Sequence, residues 1–252
     1  KLTDTGTFNL DTLATNFDAT ANPVTLVESG NALTLAGGKA FKSELNADGT
    51  QETDLDVRGG KKIVRYAYTF KGAKAATTVG SDTWGGRSAA GNTTTGNEIT
   101  LADGSYTNVY GGRTTGAGST ATDKGDSISN KVTVNGTAAV SGIVYGGYTD
   151  VTGGRATGNT VTVEKAIAGA VVGGKALGEA SGNIVTVKAN TGAVTGGDGA
   201  TTNNNTVNLT QANVTGSVTG GNGATANENT VNIDRVNVTG TITGGTADGT
   251  GN

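Results

Sequence analysis

Reactive sites in proteins are most often built from histidine, cysteine or clustered carboxylates, and this chain of 252 residues contains no histidine and no cysteine. A Ser-His or Cys-His nucleophile and a histidine-bearing zinc site are therefore excluded. The carboxylates are dispersed, with Asp150, Asp198 and Asp234 standing singly. A glycosidase-type pair would have to form between distant stretches, from residues such as Asp150, Glu164 and Glu179. Gly196-Gly-Asp-Gly199 and Gly220-Gly-Asn-Gly223 open like a calcium-binding nonapeptide, but Thr201 and Thr225 stand where its aspartate belongs. No catalytic residue, metal or cofactor is expected, and a polysaccharide-active enzyme is the reading these residues support least.

What remains is recognition. The residue before each Gly-Gly pair is Trp84, Tyr110, Tyr145, Val172, Thr195, Thr219 and Thr243 in turn. Alternation opposes it to Val109, Val144, Val171, Val194, Val218 and Ile242, so if those valines face inward it faces out. An exposed aromatic column over Trp84, Tyr110 and Tyr145, flanked by Arg87 and Arg113, is the candidate binding stripe. Two roles fit it. Stacking across strands would stabilise the surface by ~0.5–1 kcal/mol per pair; alternatively the stripe meets a sugar or a protein.

The elements that carry the stripe follow from a repeat. Asn159-Thr-Val-Thr-Val163 returns as Asn183-Ile-Val-Thr-Val187, Asn205-Thr-Val-Asn-Leu209 and Asn229-Thr-Val-Asn-Ile233, with Asn252 opening the next. The steps are 24, 22, 24 and 23 residues. A fixed period in the twenties marks a solenoid. Within each unit apolar and polar residues alternate, and β-branched Val and Thr dominate, which suits strand over helix. The expected fold is all-β: a parallel β-helix with ~24-residue coils, two or three short strands per coil and glycine at the corners. Stacked about 4.8 Å apart, Asn159, Asn183, Asn205, Asn229 and Asn252 would pair their amides in an internal ladder, since an unpaired buried amide is costly. An asparagine-lined ligand site is the alternative.

The half-units are unequal. From opening Asn to the next Gly-Gly the chain runs 14, 16, 14, 13, 15 and 15 residues; from the pair to the next Asn it passes 10, 17, 11, 8, 7 and 7. One side of the coil is fixed and the other carries variable loops, the longest at 113–129, where recognition is expected. Residues 1–80 hold 18 of the 39 charged residues, the single proline and all four phenylalanines, without the period. They are expected to form irregular coils or a cap, followed by regular repeats over 81–252. The net charge of −3 argues against nucleic acid as a partner, and no apolar run is long enough for a transmembrane helix.

Val109-Tyr-Gly-Gly112, Val144-Tyr-Gly-Gly-Tyr148 and Ala156-Thr-Gly-Asn-Thr-Val-Thr-Val163 resemble the passenger repeats of bacterial autotransporter (type V secreted) surface proteins. The resemblance covers roughly 81–252 and is a style of repeat, not a catalytic signature. It implies a right-handed β-helix secreted across the outer membrane and displayed on the cell surface, often as an adhesin for a surface protein or glycan. The translocator barrel of that family, a series of ~10-residue amphipathic strands, is not found here. The expected function is thus a surface adhesin or display shaft. The alternative is a subunit that assembles head to tail into a filament, because the chain stops in phase at Asn252 and an open coil end invites strand pairing.

Overall fold

The computed structural model describes residues 56–58, 61–64, 67–70, 82–88, 93–102, 104–116 and 125–247, with backbone alone for the strands before residue 71 and for 87–88. The four residues that follow the asparagine of each Asn-x-Val-x-Val opening become a strand because its β-branched residues alternate cleanly. Seven such strands form one sheet: Ala67–Phe70, Glu98–Leu101, Lys131–Val134, Thr160–Val163, Ile184–Val187, Thr206–Thr210 and Thr230–Asp234. This valine sheet is parallel throughout and in register, so Val132, Val161, Val185, Val207 and Val231 stand in one column.

A second seven-stranded parallel sheet holds the Gly-Gly pairs: Thr83–Ser88, Val109–Thr114, Val144–Thr149, Val171–Lys175, Val194–Asp198, Val218–Gly223 and Ile242–Ala247. A third sheet is shorter, ordered Asp56–Arg58, Lys61–Val64, Thr93–Thr95, Ser127–Ile128 and Ala156–Thr157. Its first two strands are antiparallel, and the rest parallel. The described residues are therefore strands and turns in stacked parallel sheets, each ladder joining one repeat to the next. Strands 61–64 and 67–70 already belong to these ladders.

The valine sheet and the double-glycine sheet share one apolar interior. Ile99, Val132, Val161, Val185 and Val207 face it from one side and Val109, Val144, Val171, Val194 and Val218 from the other, all fully buried. Tyr106, Val140, Ile167 and Val214 close the third corner. Each buried valine contributes about 1.5–3 kcal/mol of transfer free energy, and the narrow core repeats that contribution in every unit.

Asparagine lines the remaining corner. Asn97 Nδ2 donates to Asn130 Oδ1 at 2.7 Å, and the same bond recurs from Asn130 to Asn159, Asn159 to Asn183, Asn183 to Asn205 and Asn205 to Asn229 at 2.9–3.1 Å. Each receiving Oδ1 also accepts the backbone N–H of the preceding asparagine. The second amide hydrogen goes to a carbonyl of the coil before: Thr94, Ser127, Ala156, Ala180 or Thr202. A buried primary amide is saturated this way without water. Among the described residues the ladder runs from Asn97 to Asn229, and Asn252 lies outside them. The residue before each ladder asparagine has positive φ, whether Gly96, Gly158 and Gly182 or Ser129, Asn204 and Glu228. That turn brings the chain back from its loop so that the asparagine enters the interior.

The double glycines are not at corners, as the sequence suggested, but inside strands. In the six strands from Thr83–Ser88 to Val218–Gly223 both glycines turn toward the interior, where the next asparagine already lies. A methyl on Gly146 would meet Asn159 Cβ and Val161 Cγ2 at 3.0 Å, and one on Gly147 would meet Asn159 Oδ1 at 2.8 Å. Two successive inward residues make a bulge. The ladder registers accordingly match Tyr145 with Tyr110 and Gly147 with Gly112. Pair and asparagine together form a clamp at the base of each variable loop. A loop closed at a fixed base tolerates length change cheaply, since doubling it costs only about 0.6 kcal/mol. Residues 117–124 of the longest loop lie outside the described residues.

Candidate aromatic and arginine face

The bulge decides which side chains share the outer face of the double-glycine sheet. Because two residues turn inward, the residue before the pair and the residue after it both turn outward. Two outer columns result. The first runs Trp84, Tyr110, Tyr145, Val172, Thr195, Thr219 and Thr243; the second is Arg113, Tyr148, Lys175, Asp198, Asn222 and Thr246 in register, with the backbone of Arg87 beside that of Arg113. Simple alternation places Tyr148, three residues after Tyr145, on the opposite face, so the sequence reading omitted it. The glycine pair between them was the available signal.

The rings form one assembly. Tyr110 and Tyr145 stack with centroids 5.0 Å apart and planes 7° from parallel. Tyr148 meets both edge-on, at 5.6 and 5.4 Å. The Arg113 guanidinium lies 5.2 Å from the Tyr110 centroid and 6.0 Å from those of Trp84 and Tyr148. Each offset or edge-on pair adds about 0.5–1.5 kcal/mol beyond area burial, and each cation–π contact a comparable amount. Asp82 sits beside the first coil, accepting from Asn108 Nδ2 at 2.8 Å and, at longer range, from the Tyr110 hydroxyl at 3.5 Å.

Exposure corrects the expectation for this stripe. Tyr110 is 6% exposed and Tyr145 9%. Their faces cover each other, and Tyr148 and Arg113 close over them. Trp84, Tyr148 and Arg113 are half-buried and are what this face offers to solvent. Arg87 stands opposite Arg113 in the ladder. Further along, the face becomes polar and self-paired: Lys175 Nζ meets Asp198 Oδ2 at 2.7 Å, and Asn222 Nδ2 donates to Asp198 Oδ1 at 3.1 Å.

Burial pushes the phenol of Tyr110 well above its ordinary range, with the Asp82 charge adding to the shift and Arg113 opposing it. Tyr145 is raised for the same first reason, desolvation, with Lys175 opposing. The fold thus favours neutral tyrosine. An unfolded chain releases these protons near pH ~10, whereas the folded chain holds them to higher pH. The stability they contribute is complete below that value and is lost as pH rises through the folded ones. In an alkaline titration, the tyrosinate absorbance of Tyr110 and Tyr145 is expected to appear together with loss of β-sheet circular dichroism. Tyrosinate from these two residues in a chain still folded would contradict the packing.

The scattered carboxylates are placed singly. Glu164 pairs with Lys188 at 2.9 Å, Asp234 with its neighbour Arg235 at 2.9 Å, and Asp150 is exposed just after the strand Val144–Thr149. The buried Asp126 is held by Arg155, whose backbone N–H and guanidinium both donate to it. Among the described residues no three His, Cys, Asp or Glu side chains gather as a metal group, and no helix is long and apolar enough to cross a membrane. Comparison with protein-family models, with curated proteins and with solved structures gives no match.

Proposed function

We propose that this chain is the shaft of a bacterial surface or extracellular adhesin, a right-handed parallel β-helix that meets its partner along the Trp84–Tyr148 face and catalyses nothing. The stacked parallel sheets support the solenoid, and the resemblance of the repeats to autotransporter passengers supports its hand and its place outside the cell. One observation carries the functional part: among the described residues the outer columns hold Trp84, Tyr110, Arg113, Tyr145 and Tyr148 in the early coils, while Thr195, Thr219 and Thr243 fill the first column further along. A scaffold that needed the rings for stability alone would repeat them in every coil. Rigid aromatic anchors on a preorganised sheet lose little entropy on contact.

The test uses the accessible residues, because truncating the buried Tyr110 or Tyr145 would also disturb packing. Tyr148→Thr combined with Arg113→Gln is expected to lower binding of the chain to whole cells or glycan arrays at least tenfold while the far-ultraviolet spectrum is retained. Binding equal to the parent would make the face purely structural. Head-to-tail assembly into a filament is the alternative reading. Concentration-dependent light scattering separates it from the first.

A further inference from the structure

We propose that Arg113 anchors a carboxylated sugar, so that the ligand of this face is an acidic glycan such as a uronic-acid oligosaccharide. The inference rests on the reading of this face as a contact surface and adds the chemical class of what it contacts.

Arg113 and the exposed Lys165 differ from the other described cations. Lys131, Arg155, Lys175, Lys188 and Arg235 each have a carboxylate within 2.9 Å. Arg113 has none among the described residues; its contacts are the three rings, and its buried Nε donates to nothing. A guanidinium packed among aromatic rings keeps its charge and its donor edge, and the planar fork of that edge matches a carboxylate in a two-point contact.

The remaining groups select a sugar over an acidic peptide. Asp82 is fixed by Asn108 and Tyr110 beside the rings. It accepts hydroxyl hydrogens but repels a second negative charge. A uronic acid brings one carboxylate for Arg113, several hydroxyls for Asp82, and an apolar ring face for Tyr148 or Trp84. A run of acidic residues would bring further charge against Asp82 and no hydroxyls. The acceptor, the fork and the rings lie on three successive strands of one sheet, about 10 Å across at ~4.8 Å per strand, the span of about two sugar rings.

Titration calorimetry of the full chain with trigalacturonate and with its methyl ester tests the proposal. The acid is expected to bind at least tenfold more tightly than the ester, with the difference shrinking as salt is raised. Arg113→Gln should abolish the preference. Arg113→Lys should restore only part of it, because an ammonium keeps the charge and loses the fork. Equal affinity for acid and ester in the parent overturns the assignment without any variant, so the result does not depend on how substituted chains fold. A preference that survives Arg113→Gln also overturns it. Binding of poly-glutamate in place of the sugar would assign the face to an acidic protein instead. If neither oligosaccharide binds but the Tyr148→Thr, Arg113→Gln chain loses cell attachment, the acidic sugar is wrong and the contact face stands; if attachment is also unchanged, both are wrong.

Discussion

Asn205→Ala is expected to destabilise the chain by about 3–5 kcal/mol, among the largest losses any single substitution here should produce. The amide is fully buried and makes four side-chain hydrogen bonds. Its Nδ2 donates to Asn229 Oδ1 and to the Ala180 carbonyl, both at 2.9 Å. Its Oδ1 accepts from the backbone N–H and the side-chain Nδ2 of Asn183, both at 3.0 Å. Alanine leaves these partners buried with fewer bonds or none, and opens a cavity beside Gly196 and Gly197. Asn205→Asp keeps the shape but loses both donors and buries a charge, so it should cost at least as much. Thr206→Ala, on the next, outward-facing position of the same strand, should cost less than about 1 kcal/mol. Urea denaturation followed by circular dichroism compares the three. Equal losses at 205 and 206 would mean that the ladder contributes nothing beyond strand propensity.

Gly196→Ala is expected to cost about 3 kcal/mol or more, for a reason that lies in the neighbouring coil and not in its own backbone. The added methyl would meet Asn205 Cβ at 2.9 Å and press on the Gly220 carbonyl of the next coil. Neither can yield without breaking the amide ladder or the sheet register. Gly197→Ala meets Asn205 Nδ2 at 2.6 Å and belongs to the same class. Gly153→Ala is the informative contrast. No atom lies within 4 Å of a methyl there, and only its φ of +74° opposes substitution, a cost of about 1 kcal/mol. A ranking in which Gly153→Ala is the more damaging would show that these glycines serve backbone conformation and not close packing. Because coils contact mainly their neighbours, the loss at Gly196 should be accompanied by increased hydrogen exchange in the coils on either side of it.

Both predictions concern one clamp, and its consequence for function is division of labour. Gly-Gly and Asn hold the base of each loop to the same geometry whether the loop has 7 residues or 17. Loop length and the outer columns can then vary along the shaft without altering the core. The face carrying Arg113 and Tyr148 differs from the threonine coils beyond it in side chains, not in backbone.

Much of this was determined by the sequence alone. The recurrence of Asn-x-Val-x-Val at 22–24 residues specified parallel stacking, because strands that repeat at a fixed interval bury their valines only against equivalent strands. Alternation set Val161, Val185 and Val207 inward with the asparagines, since side-chain direction along a strand is a local property with period two. The unequal half-units likewise marked where loops leave the scaffold. Three features were decided only by tertiary structure. The glycine pair breaks the period of two, because the space for its side chains is filled by an asparagine that follows a loop of 7 to 17 residues; that bulge brings Tyr148 onto the face of Tyr145. The tyrosines are outward yet buried, because burial on a sheet surface depends on what stands in the adjacent coils, here Tyr145 on Tyr110 with Tyr148 and Arg113 over them. The left-handed turns at Ser129, Asn204 and Glu228 carry no glycine to announce them; they persist because the asparagine that follows each is held by the ladder, an interaction between coils that no local pattern encodes.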